Sequence, residues 1–155
     1  MTAFQMLRSS CLAVALGTMT LFSGFALAHD HGEKGPHGGN LIALGDEEFH
    51  AEIVVNEKTN TLAIYLLDST AKKTVVSNST EAFVNLKHGG KPVQFKLPAL
   101  PQQTDAAGTS SCFSMVNGEL IHDLHHKDNG AVLRVGIAGK TYTGKLTLGA
   151  HDHKH

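Results

Sequence analysis

Two runs of residues, FHAEIVV (49–55) and TLAIYLL (61–67), separated by NEKTN, constrain the fold more than any other feature of the chain. In the first, Phe49, Ala51, Ile53 and Val55 alternate with His50, Glu52 and Val54. Side chains on a strand point to opposite faces in turn, so a period of two describes a strand with one buried face. The second run is apolar almost throughout and reads as its more deeply buried hairpin partner. The pattern then repeats. EAFVNLK and PVQFKL flank HGGK (88–91), where Gly89 and Gly90 supply the positive φ angles of a tight turn. AVLRVGI and TYTGKLTL flank AGK (138–140), SCFSMV (111–116) reads as a strand, and KTVV (73–76) reads as a short edge strand. About seven to nine short strands with close turns predict an all-β fold, either an antiparallel β-sandwich of Ig-like type or a small barrel.

One segment departs from this period. GELIHDLHH (118–126) predicts a short helix, with Asn117 as N-cap and Gly130 beyond its end. The longest loop is LPALPQQTDAAGTSS (97–111).

Before residue 29 the composition is different. Arg8 is the only charged residue among the first 28, an apolar run follows it, and Ala26-Leu27-Ala28 forms an A-x-A site. These features predict a signal peptide over 1–28 and a periplasmic or secreted mature chain with no membrane insertion after cleavage. The remainder divides into a flexible His/Gly-rich tail (29–40), a single β-domain (41–148) and a His-rich C-terminal tail (149–155). Cleavage leaves Cys112 as the sole cysteine, so the domain depends on an ordinary core rather than an internal disulfide.

All 11 histidines follow the cleavage site, and the formal charge of the whole chain is −1. Without a basic excess, nucleic acid is not an expected partner. Neutral imidazole is a common metal ligand, so this histidine bias points to metal ions as partners. Cleavage after Ala28 would free the amine of His29 and put His31 at position three. That amine, two amide nitrogens and the His31 imidazole can form a square plane around Cu(II) or Ni(II). His37 lies further along the same tail.

On the predicted helix, Leu120 and Leu124 lie near 0° and 40°, while His125, His122 and His126 fall near 140°, 200° and 240°, at about 100° per residue. The three imidazoles therefore lie away from the packed side, and His122 and His126, one turn apart, can share an ion. Asp123 and Asp128 are placed to add an oxygen or to orient an imidazole. His151, His153 and His155 alternate at the C-terminus. His50 and Glu52 share a strand face, either as a pair of ligands or as an ordinary solvent-side pair. His88 is expected at an exposed hairpin tip. With Cys112 and Met115 the only sulfurs after cleavage, the donor set favours Cu(II), Ni(II) or Zn(II) over soft-ligand chemistry. No nucleophile elbow or phosphate loop is present, Trp is absent, and the expectation is a protein that is not an enzyme.

GPHGGNLIALGDEEFHAEIV (35–54) resembles the HGG-x-L…G-D…E-x segment near the front of the periplasmic adaptor subunits of heavy-metal efflux pumps. The resemblance is carried by His37, Gly38, Gly39, Leu41, Gly45, Asp46 and Glu52. It covers only that segment, and the adaptors' long helical hairpin and lipoyl-like domain have no counterpart here. As a whole the chain is similar to small secreted bacterial proteins with histidine-rich ends and a β-rich middle, which implies a metal-linked exported protein. It also resembles periplasmic copper-carrier sandwiches whose mature chains begin with histidine and add a D-x-H pair. His29 and Asp123-Leu124-His125 take those places here, which implies a copper-carrier-like sandwich. The expected function is an exported protein that buffers or delivers a divalent transition metal, with an efflux or uptake component of the envelope as partner. The competing expectation is an Ig-like interaction module whose histidines serve solubility or pH response.

Overall fold

The computed structural model describes residues 33–126 and 129–148. Their elements, in chain order, are β1 (Asn40–Leu44), β2 (Phe49–Asn56), β3 (Thr61–Asp68), β4 (Glu81–His88), β5 (Lys91–Pro98), β6 (Cys112–Val116), α1 (Gly118–Leu124), β7 (Val132–Ile137) and β8 (Lys140–Lys145). The strands form two antiparallel four-stranded sheets, ordered β1-β2-β3-β6 and β5-β4-β7-β8. The all-β sandwich expected from the alternation is therefore what forms, and the barrel alternative is not. The two sheets meet at their corners without closing. Gly45 N–H donates to Thr143 O at 3.0 Å on one side, and Ala99 bridges Phe113 on the other.

Each hairpin follows its sequence pattern. Phe49 pairs with Asp68 and Asn56 with Thr61, so Ala51 and Ile53 face the core beside Ile64 and Leu66. Gly89 (φ +55) and Gly90 (φ +81) make the β4–β5 turn, and both need the left-handed region that glycine enters without strain. From the second sheet, Val84, Leu97, Leu133 and Ile137 close over the same core. Burial of each large apolar side chain contributes about 1.5–3 kcal/mol.

KTVV is not a strand. The Asp68 carboxylate accepts backbone N–H groups from Thr70, Lys72 and Lys73, which turns the chain after β3. What remains is an isolated bridge between Thr74 and Leu67 and another between Ser77 and Ser110.

The helix closes one end of the sandwich, against β3 and β4. Asn117 caps it as expected, its side chain accepting from Leu120 N at 2.9 Å, and Asn117 N–H donates to Asn60 O in the turn just ahead of β3. Leu120, Ile121 and Leu124 fill the core below. Beyond the helix, Asn129 ties three parts together. Its Nδ2 donates to Asp123 O, its Oδ1 accepts from Ala131 N, and its carbonyl accepts from Lys87 N.

Ahead of β1, part of the segment expected to be a loose tail is built into the fold among the described residues. Residues 35–39 form a tight loop, with Gly35 N–H donating to Gly39 O and Gly38 N–H to Gly35 O, both at 2.9 Å. This loop lies over Glu52, whose carboxylate binds it from below. Gly35 is required there, because a Cβ would run into the Glu52 carboxylate.

Candidate metal centre

His88 ends β4 and reaches the flank of α1, where Asp123 is buried to 4% exposure beside the apolar stripe. A carboxylate costs several kcal/mol to bury without a partner. Here the partner is the His88 ring: Nδ1 lies 2.8 Å from Asp123 Oδ1 and 3.0 Å from Oδ2. An ionised carboxylate only accepts, so His88 Nδ1 carries the proton and donates it. In neutral His88 the lone pair is then on Nε2, which lies 3.7 Å from Glu119 Oε1, one turn ahead of Asp123 on the helix. The three residues offer donor atoms that all lie within 4.8 Å of one another. Asp123, by hydrogen bond and by charge, holds the His88 pKa above the usual histidine value, burial partly opposing this and Glu119 adding to it.

The arrangement is a histidine whose tautomer is set by a carboxylate behind it and whose free nitrogen faces a second carboxylate. Metal-binding histidines are commonly oriented in this way from their far nitrogen. His88 and Glu119 were not among the ligands expected from sequence. Asp123 was expected either to add an oxygen or to orient an imidazole, and His88 was not foreseen as its partner. The separation of 35 residues between His88 and Asp123 offers no local pattern to read.

The three helical histidines lie on the outer side of α1. His122, His125 and His126 are all exposed, and the rings of His122 and His126 meet edge to face with centroids 4.8 Å apart. His122 Nδ1 stands 3.7 Å from Asp123 Oδ1, beside the His88 pair. His125 turns elsewhere, its Nε2 lying 3.3 Å from Glu57 Oε1. With Asn60, Gly118, Ile121 and His122, those two residues line an open groove of about 390 Å³. Asp123 and His125, aligned above with a D-x-H pair, thus face different partners.

His37 sits in the 35–39 loop. Glu52 Oε1 accepts from His37 N at 2.7 Å and Gly39 N at 2.8 Å, while Oε2 lies 2.8 Å from His37 Nδ1. The Glu52 side chain is fully buried and that of His37 is 41% exposed. The imidazole stacks on Tyr65, centroids 3.8 Å apart and planes within 9°. His50 and Glu52, read above either as a pair of ligands or as an ordinary solvent-side pair, are both buried and serve different partners. His50 Nδ1 is 3.2 Å from Asp68 O, while Glu52 is taken up by the loop. Cys112 lies in the same strand row as Glu52 and Tyr65, and burial raises its thiol pKa to about 11, against a lowering hydrogen bond with Tyr65. It therefore stays a protonated thiol at neutral pH and a poor ligand. His29, His31, Asp128, His151, His153 and His155 lie outside the described residues.

The chain matches no family model, and neither a curated protein nor a solved structure matches it significantly.

Proposed function

We propose that this is an exported metal-binding protein that buffers or delivers Cu(II), Ni(II) or Zn(II) in the cell envelope, with a metal efflux or uptake component as its partner. On the folded domain the ion is held by His88 Nε2 and Glu119, and Asp123 fixes the His88 ring. The observation that carries this reading is the His88–Asp123–Glu119 group, because it prepares an imidazole nitrogen opposite a carboxylate. Imidazole with carboxylate oxygen suits these borderline ions. His29, His31, His151, His153 and His155 add capture capacity at the chain ends, and the His122–His126 pair adds it beside the folded site. Acid releases the ion, since each ligand imidazole must lose a proton to bind.

The test is titration of the purified chain with Zn(II), Cu(II) and Ni(II), beside the same chain unfolded in urea and the His88→Ala variant. The folded protein should bind at least one equivalent tighter than the unfolded chain does, and His88→Ala should lose that equivalent. Equal binding by folded and unfolded chains would leave the histidines as solvated groups of an interaction module. A separate measurement addresses the N-terminus: acetylating the terminal amine should abolish a square-planar Cu(II) spectrum if the His31 chelate forms.

A further inference from the structure

HGG occurs twice, at 37–39 and 88–90, and in both places the histidine Nδ1 is within 2.8 Å of a buried carboxylate. We infer that His37 Nε2 is the fixed donor of a second metal position, separate from His88 and prepared by Glu52 and Tyr65. This rests on the reading of the chain as a metal binder and adds a site on the opposite sheet.

The tautomer at His37 is determined by more than one contact. Glu52 Oε1 is occupied by two backbone N–H donors, from His37 and Gly39. These set the carboxylate's orientation, so Oε2 must face the ring and accept from Nδ1–H. The neutral ring then carries its lone pair on Nε2. Stacking on Tyr65 fixes the ring plane, so little side-chain freedom remains to be lost on binding. A single imidazole does not complete a coordination sphere. Water fills the positions that no side chain takes.

The backbone donors supply a specific test. In Glu52→Gln the amide oxygen has to take the place of Oε1, since only it can accept both backbone N–H groups. The amide NH₂ then faces His37 Nδ1, which must accept, and the ring proton moves to Nε2. The shape is preserved and the metal-binding lone pair is lost.

The experiment is a Zn(II) titration followed through long-range ¹H–¹⁵N correlations of the histidine rings, on the full chain and on His88→Ala. In metal-free protein His37 should show the Nδ1–H tautomer. Zn(II) should then shift His37 Nε2 in both proteins, and Glu52→Gln in the His88→Ala background should weaken that binding by about tenfold or more. Zn(II) that shifts His88 and leaves His37 unmoved overturns the second position while the His88 site stands. The reverse outcome removes the His88 site and keeps this one. Should Glu52→Gln fail to fold, His37→Gln retains both backbone bonds to Glu52 and deletes only the imidazole. It should cost one equivalent of Zn(II), and an unchanged stoichiometry overturns the proposal.

Discussion

The two HGG segments place the same three residues over two differently built carboxylates. Glu52 lies mid-strand, has no exposure, and accepts two backbone N–H groups besides the ring of His37. Asp123 lies on a short helix, and among the described residues its carboxylate takes hydrogen bonds from His88 alone. The first pair is part of how the chain folds, because removing the acid leaves buried backbone donors without a partner. The second ties down no backbone donors, is half-exposed on its histidine side and is flanked by the exposed Glu119.

The largest consequence concerns stability. Glu52→Ala should lower the unfolding free energy by about 3 kcal/mol, and Asp123→Ala by about 1 kcal/mol, in urea denaturation of metal-free protein. Equal losses would erase the distinction between the two segments.

The same difference governs how each site responds to an amide. Asn at position 123 has no backbone donors holding it, so it can present its oxygen to His88 Nδ1–H and leave Nε2 free. Zn(II) affinity at His88 in Asp123→Asn should fall by about tenfold at most, while Glu52→Gln should cost His37 closer to 100-fold. Isothermal titration in single-site backgrounds measures both, and the opposite ranking would contradict the tautomer argument.

Gly35→Ala tests the fit of the loop over Glu52. Its methyl meets the carboxylate directly, and the loop must lift, at about 2 kcal/mol in thermal or urea unfolding. Gly89 and Gly90 have open space at the Cβ position, so substitution there strains only the backbone turn.

The smallest effect is a pH dependence. His88 has a folded pKa raised above the ordinary histidine value by Asp123. Its pair therefore contributes fully below the unfolded pKa near 6.5 and fades as pH rises through the folded value. His88→Ala should thus destabilise metal-free protein more at pH 5.5 than at pH 8.5, read as the difference between two urea midpoints. A loss independent of pH would mean that the pair acts through packing.

Period-two alternation, the Gly89-Gly90 turn and the Asn117 cap act through neighbours a few residues apart, and the sandwich and its helix were legible from them. KTVV misled because Asp68, just ahead of it, draws the backbone into a turn that no apolar pattern reveals. The exposed histidines of α1 were legible from the helical period, which places them opposite Leu120 and Leu124. The two carboxylate–imidazole pairs were not. Glu52 and Asp123 each occupy a position that a wheel or a strand pattern marks only as polar. Whether such an acid faces water or an imidazole depends on chain folded back from 15 or 35 residues away. The sequence alone determined the periodicity, the turns and the abundance of imidazole, since these are local or compositional. Tertiary structure alone decided which imidazoles gain a buried partner and which nitrogen each presents, because long-range packing fixes the hydrogen bond that selects the tautomer.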